Sequence, residues 1–389
     1  MSEWRVVNLG SITSRIGDGL HGTPKYDKCG NYFFINGNNL INGRIAIKED
    51  TKRVLQSEAE KYAKPLSENT VLLAINGTIG NLAFYRGEKC MLGKSACYIN
   101  LSAEVDTKFM YYHFLNKDFQ IFLESIATGT TIPNVPLKGI REYNFMLPNR
   151  HEQQAIAEIL SSLDDKIDLL HRQNQTLEQM AETLFRQWFI EEAKEEWTLS
   201  TIGEELVTIL GGTPSTKNPE YWDGNIPWIN SGEINKFRII EGSKFITELG
   251  LRKSNTKLLP KGSTVLAITG ATLGQISFLE IDTCANQSVV AILPSDFFPS
   301  WFVFLWVKNK LPDIIMNETG GAQGHVNKND INSTLIVKPH KDELTKAETI
   351  IQPMFEKISN NIWQIKNLEQ QRDTLLPKLM SGEVRVKMN

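Results

Sequence analysis

TVLLAINGTIGNLAFY, from Thr70 to Tyr85, returns as TVLAITGATLGQISFL, from Thr264 to Leu279. The two stretches align without a gap at an offset of 194. The correspondence extends outward on both sides. Trp4 and Gly10 recur as Trp197 and Gly203, Gly22-Thr23-Pro24 as Gly212-Thr213-Pro214, and Ile35-Asn36 as Ile229-Asn230. Thr128-Gly129, Val135, Ile140 and Pro148 recur as Thr319-Gly320, Val326, Ile331 and Pro339. Lys166-Ile167, Leu177-Glu178 and Thr183-Leu184 recur as Lys357-Ile358, Leu368-Glu369 and Thr374-Leu375. A period near half of 389 residues is far too long for a solenoid. It implies one globular unit followed by one helical unit, used twice.

The globular parts read as mixed α/β (α+β). Short β-rich runs at Tyr32–Asn36, Val71–Ile75, Leu82–Tyr85 and Ala96–Leu101 are punctuated by Gly and Asn. A helix is expected over Lys108–Leu123. The order repeats at Trp228–Asn230, Val265–Thr269, Ile276–Leu279 and Val289–Leu293, with a helix near Ser300–Asn309.

From Glu152 to Trp188 there is no Gly or Pro, and apolar residues keep a seven-residue beat. Ile156, Leu163, Leu170, Leu177 and Leu184 fill one position; Leu160, Ile167, Asn174, Ala181 and Trp188 fill the position four later. This is an a/d seam. At ~1.5 Å per residue the helix spans roughly 55 Å. A less regular copy runs through Ile351, Met354, Ile358, Ile365, Leu368, Leu375 and Leu379. Pro353 should kink that helix or mark its start, and Pro377 should disturb its last turns. Neither stripe can be buried alone, so the two helices are expected to pair antiparallel about an approximate two-fold axis. Asn174 and Asn361 both fall on the seam. They either face each other and fix the register or sit separately beside water. The domain bounds that follow are 1–150, 151–194, 195–339 and 340–389.

The formal net charge of −3 conceals a division. Residues 151–196 hold 4 Lys+Arg against 11 Asp+Glu, whereas residues 1–150 hold 18 against 14. The first globular part is mildly basic, which permits phosphate contact, and the acidic helix is suited to a protein partner. No apolar run is long enough to span a bilayer, and the opening MSEWRVVNLG lacks the basic-then-apolar pattern of export. A cytoplasmic location is expected. The four cysteines are too scattered for a disulfide framework or a zinc site. Cys90 and Cys284 align in the repeat and read as buried thiols.

Several short matches invite a catalytic reading. Gly17-x-Gly19-x-x-Gly22 fits a dinucleotide fingerprint, but Thr23-Pro24 follows where a helix should open. Gly93-Lys94-Ser95 lacks the leading glycine of a P-loop. Asn218-Pro-Glu-Tyr221 is near an amino-methyltransferase tetrad, with Glu220 in place of the second proline. All three read as turns or loops. Asp164-Asp165 lies on the long helix and reads as surface charge, and the histidines show no ligand spacing. No catalytic residue and no metal site is assigned.

The remaining chemistry lies in duplicated loops rich in Gly, Asn, Thr, Ser and Gln, with Lys nearby. Such side chains read base edges and hold phosphates, although Gly and Asn also serve turns. The candidate DNA-binding residues are Lys25, Lys28, Asn38, Asn39, Thr78, Lys94, Thr130 and Thr131 in the first copy. In the second they are Thr216, Lys217, Ser231, Thr272, Asn286, Gln287, Gln323 and His325. The helix-pairing and partner-docking candidates are Ile156, Leu163, Leu170, Asn174, Leu177, Leu184, Trp188, Ile358, Asn361, Ile365, Leu368 and Leu375.

Gly211-Gly-Thr-Pro-Ser-Thr216 with Ile226-Pro-Trp-Ile229, Glu152-Gln-Gln-Ala-Ile-Ala157, Leu184-Phe-Arg-Gln-Trp-Phe189 and Leu375-Leu-Pro-Lys-Leu-Met-Ser-Gly-Glu383 occur together in this order. In this the chain resembles the DNA-specificity subunit of type I restriction-modification systems over nearly its whole length. The resemblance implies two target-recognition domains separated by a long antiparallel two-helix coiled coil. Each domain would read half of a bipartite duplex target. The helices would set the spacer and dock two methyltransferase subunits, with two translocating restriction subunits completing the assembly. S-adenosylmethionine, ATP and Mg would bind those partners, and no cofactor this chain. The first copy departs from the pattern, because no Ser-Thr follows Gly22-Thr-Pro24; different half-sites are therefore expected. Two other readings remain: an amino-methyltransferase in its own right, and a coiled-coil adaptor without DNA binding.

Overall fold

Every residue of the strand Thr70–Ala74 is buried, because the strand is covered on both faces. Val71 and Leu73 point into a cluster with the helical residues Phe109, Tyr112 and Phe119. Leu72 and Ala74 point the other way, onto Ile35, Leu40 and Leu92. That alternation follows from the period of two along a strand. The computed structural model describes residues 4–129, 131–316 and 324–386. It comprises two units, Met1–Leu169 with Gln364–Asn389 and Leu170–Trp363.

In the first unit an antiparallel sheet has the order Thr13–Asp18, Ala96–Leu101, Thr70–Ala74, Leu82–Phe84. A smaller sheet stacks Arg53–Val54, Tyr32–Ile35 and Cys90–Leu92. The second unit repeats the larger sheet as Thr208–Leu210, Val289–Ile292, Thr264–Ala267, Ile276–Phe278. Beside it lies a sheet built around Trp222–Ile229 and Thr283–Ala285.

The structure corrects the ungapped offset. Leu73 pairs with Leu82 in the first unit, but Leu266 pairs with Ile276 in the second. The amide of Ala74 bonds to Asn81 at 2.8 Å, as that of Ala267 does to Gln275 at 2.9 Å. The strand is therefore displaced by one residue less than the hairpin arm, and the second copy carries one extra residue in the intervening loop. A one-residue slip would turn every side chain to the opposite face, and the faces agree only with the corrected match. Leu266 and Ile268 join the helical cluster, while Val265 and Ala267 face Ile229 and Ile234. By the same pairing, Ile35–Leu92 corresponds to Ile229–Ala285. Cys284 thus matches Met91 and not Cys90; Cys284 is buried and Cys90 only half-buried.

The expected helix over Lys108–Leu123 is two helices, Thr107–Leu115 and Lys117–Ile126, separated by Asn116 in an extended conformation. In the second unit the helix is longer than expected, Ser300–Met316, with Pro312 inside it. The central helix is Arg150–Arg186, followed by a π-helical turn at Gln187–Glu191. The C-terminal helix is Lys341–Met380. It begins well before Pro353 and continues through Pro377, so neither proline bounds it. Pro353 is exposed, which leaves its missing backbone bond facing water.

Within each unit the two helical segments pack in opposite directions. In the first, Ile156, Ala157 and Leu160 meet Leu376, Leu379 and Met380. Asp164 is not a free surface charge: it accepts from the Tyr112 hydroxyl at 2.7 Å and from Arg372 at 2.9 Å. In the second, Ala181 and Phe185 share a core with Ala347, Ile351 and Phe355. A matching clasp closes each unit. Glu152, 3% exposed, holds the Arg385 guanidinium at 2.7 Å and the Trp4 indole at 3.2 Å. Lys194 pairs with Glu343 in the second unit, in a cleft that Trp197 also lines.

Most of the seam is buried as its spacing requires. Ile156, Leu170, Asn174, Ile358, Asn361 and Ile365 are buried, and Leu163, Leu177, Leu368 and Leu375 are half-buried. At the end of the central helix the buried face turns. Phe185 and Phe189 are 1% and 2% exposed, whereas Leu184 and Trp188 are only half-buried. A straight helix drifts by about 20° per heptad against a strict seven-residue repeat. Here the drift is used: Phe185 packs on Phe302 with ring centroids 5.2 Å apart.

Asn361 donates to Asn174 at 2.9 Å in a buried pair, so these two residues do face each other. Asn361→Leu alone should therefore cost about 1–3 kcal/mol, because the Asn174 amide loses its partner in the core. Replacing both with Leu should restore or exceed the original stability. A urea titration giving the single variant wild-type stability would show that the bond contributes nothing.

Candidate nucleic-acid interface

The duplicated loops are brought together by backbone hydrogen bonds that the two units share. In the first, the Gly93 amide donates to Ile35 at 2.8 Å and Ile75 to Ser95 at 3.0 Å. Leu20 donates to Leu92 at 2.7 Å and Val135 to Ile75 at 2.8 Å. In the second, Asn286 donates to Ile229 at 3.0 Å and Ile268 to Ser288 at 2.9 Å. Gly212 donates to Ala285 at 2.8 Å and Val326 to Ile268 at 3.0 Å. Five segments remote in sequence thus converge on one edge of each unit.

The glycines explain how closely they approach. A Cβ on Gly19 would lie 2.1 Å from the Leu92 carbonyl oxygen, and one on Gly211 would lie 2.1 Å from that of Asn286. These two are the structural equivalents, although the Gly-Thr-Pro match sets Gly22 against Gly212. Gly22 stands three positions after Gly19 and Gly212 one after Gly211, so the first unit has a longer loop here, and Gly22 meets nothing within 4 Å. Gly17 lies in the strand Thr13–Asp18, and no helix follows Gly22. The fingerprint glycines therefore form a strand end and a loop.

In the first unit these loops enclose an open cleft of about 390 Å³ lined by Asp18, His21, Asn76, Lys94 and Asn134, with Ile75 and Val135–Leu137 at its base. Asn76 and Asn134 form a β-bridge. His21 Nε2 sits 2.6 Å from Asp18. Ser95 Oγ accepts from the Gly37 amide and donates to Asn36, both at 2.9 Å, which ties the Asn36–Asn39 turn to the Lys94 loop. Lys94 is exposed at the tip, with no hydrogen bond or ion pair among the described residues. In the second unit Thr269 bridges to His325, and the Thr213 hydroxyl donates to Gln287 at 2.6 Å.

The sequence candidates fall into groups. Lys94, Thr78, Gln287, Thr272, Asn286 and His325 lie in the converging loops. Asn38 and Thr131 are exposed beside them and Ser231 is half-buried. Asn39 is 5% exposed and donates to Ala46 at 3.0 Å and Thr51 at 3.2 Å, so its amide holds its own turn. Lys25, Lys28, Thr216 and Lys217 are exposed, and their side chains make no hydrogen bond or ion pair among the described residues. Thr130 and Gln323 lie outside the described residues. Sequence reasoning missed His21 and Asp18, and did not single out Asn76, Asn134, Thr213 and Thr269 within the duplicated loops that hold them. Their signal was weak: Asn76, Asn134, Thr213 and Thr269 become significant only through a bridge to another loop, and His21 and Asp18 only through their place in the cleft.

Asn218 caps the single turn Pro219–Tyr221 by accepting from the Glu220 amide at 3.1 Å, so the methyltransferase-like tetrad is a capped turn. Among the described residues no cluster of His, Cys, Asp and Glu could hold a metal ion. No described helix is long and apolar enough to cross a membrane.

The family described as type I restriction modification DNA specificity domain matches residues 1–179 and again 194–370. The type I restriction enzyme MjaIX specificity subunit of Methanocaldococcus jannaschii is 28% identical, over 82% of this chain and 78% of the relative. The HindI specificity subunit of Haemophilus influenzae is 22% identical, over 99% of this chain and 100% of the relative. A crystal structure of the type I restriction-modification S subunit from M. genitalium covers 99% of this chain and 97% of its own, at 19% identity and a TM-score of 0.60. That likeness is one of fold.

Proposed function

Because this chain belongs to the type I restriction-modification DNA specificity family, we propose that each of its two units reads one half of a bipartite duplex target. The chain is the DNA-recognition subunit of such a system. The observation that carries the two-headed reading is the loop set held by the same backbone bonds in both units but presenting different side chains. Equal scaffolds with unequal tips are suited to reading two different half-sites.

The two long helices form, in this reading, a continuous antiparallel coiled coil that separates the heads and docks two methyltransferase subunits. Central and C-terminal helices of 37 and 40 residues support it. A rod of roughly 55 Å suits half-sites about one duplex turn, 34–36 Å, apart. The acidic residues 151–196 favour protein contact over phosphate contact. Methylation and cleavage then reside in partner subunits, which hold S-adenosylmethionine, ATP and Mg, and the assembly works on DNA in the cytoplasm.

The test is selection of duplexes from a random library by the chain together with its methyltransferase partner. Two separated conserved blocks are expected; a single continuous block, or none, overturns the reading. Deleting one heptad from both helices should shorten the preferred spacer by about 3 base pairs, since seven residues rise about 10.5 Å and each pair about 3.4 Å. The half-site sequences should stay the same. A changed half-site with an unchanged spacer would refute the ruler.

A further inference from the structure

Gly93-Lys94-Ser95 and Asn286-Gln287-Ser288 are the same loop. The residue before the tip donates to the end of the neighbouring strand, Ile35 or Ile229, at 2.8 and 3.0 Å. The residue after it accepts from Ile75 or Ile268, at 3.0 and 2.9 Å. Both tips are therefore held on the same frame, and both tip side chains are exposed. They differ in chemistry. The Lys94 ammonium offers donors only and lines the cleft with Asn76 and Asn134. The Gln287 amide offers a donor and an acceptor, and the Thr213 hydroxyl bonds to its oxygen at 2.6 Å. With that oxygen held, one lone pair and the NH₂ group remain for a ligand.

In the major groove, guanine presents the two acceptors N7 and O6, which match a donor-only side chain. Adenine presents the acceptor N7 beside the donor N6–H₂, which matches a carboxamide. We propose that Lys94 and Gln287 are specificity-determining residues, one in each half-site, with Lys94 selecting a guanine and Gln287 an adenine. This rests on the reading of the chain as a two-headed DNA-recognition subunit.

The test uses the full chain with its methyltransferase partner and duplex libraries randomised in both half-sites. Lys94→Gln should move the preference at one position of one half-site from guanine to adenine, by about tenfold, and leave the other half-site unchanged. Gln287→Lys should do the reverse in the other half-site. Thermal melting of both variants should match that of the parent, since the tips are exposed and support no core. Unchanged base preference in either variant overturns the proposal. So does a uniform loss of affinity across sequences with a salt slope reduced by about one, which marks a phosphate contact. In those outcomes the parent protein still selects a bipartite target. If the parent selects no sequence, the DNA-recognition reading fails, and this proposal with it.

Discussion

Replacing Arg238 with alanine should destabilise the second unit by about 3–5 kcal/mol, the usual cost of leaving buried carboxylates without their cation. The Arg238 side chain is 1% exposed and lies 3.7 Å from Glu178 and 3.9 Å from Glu280. Its guanidinium sits among four rings, Phe237 at 4.5 Å, Phe304 at 4.8 Å, Phe278 at 5.2 Å and Phe355 at 5.4 Å. Burial pulls its pKa down and the two carboxylates oppose that, so the charge is retained. Glu178 belongs to the central helix, Phe355 to the C-terminal helix, and Phe278 to the large sheet. One side chain therefore ties the recognition domain to both helices of its unit. Glu178 keeps Lys308 at 3.0 Å when Arg238 is lost, whereas among the described residues Glu280 keeps only Lys261 at 3.8 Å and the Ser359 hydroxyl at 2.7 Å. Combining Arg238→Met with Glu280→Gln should recover part of the loss, because the orphaned charge is then gone. Urea unfolding of the full chain measures it; a loss below about 1 kcal/mol for Arg238→Ala would mean the cluster is not holding the unit together. The first unit is fastened differently, by Tyr112 on Asp164 and by Arg44 on Asp168 at 2.6 Å.

The second large effect is acid sensitivity from His113. Its ring is buried against Phe145, with centroids 4.1 Å apart, and neither nitrogen has a hydrogen-bond partner among the described residues. Burial lowers its pKa from 6.5 to about 3. The unfolded chain takes up a proton below about pH 6.5, and the folded chain does so only near pH 3. The stability contributed by the neutral ring is thus complete above about pH 6.5 and falls with decreasing pH. The slope is about 1.4 kcal/mol per pH unit, or about 2 kcal/mol by pH 5. His113→Phe should remove that component and be near neutral at pH 7, since no hydrogen bond is lost. Comparing denaturant midpoints of both proteins at pH 7 and pH 5 isolates the term. Parallel declines would show that His113 is protonated in the folded chain at ordinary acidity.

Much of this molecule is legible in its sequence. Local similarity exposed the duplication, because strands and helices of the same type need the same residue pattern wherever they occur. The heptad beat located the long helices and set both Asn174 and Asn361 on the seam, but left open whether they meet; the structure brings them into contact.

What the chain could not disclose by itself was register and convergence. A single inserted residue between Ala267 and Ile276 leaves the similarity of the two repeats intact, yet decides which face each side chain takes. Likewise Phe185 and Phe189 took the buried positions because an aromatic helix of the same unit lies against them, a fact no local spacing encodes. Nothing in the local sequence marks Arg238 or Asn134, and only packing gives them their neighbours. Period and composition are properties of neighbours along the backbone and survive in the linear text. Burial, ion pairing and the meeting of loops are properties of residues far apart along the chain, 60 positions for Arg238 and Glu178 and 58 for Asn76 and Asn134, and these exist only once the sheets close.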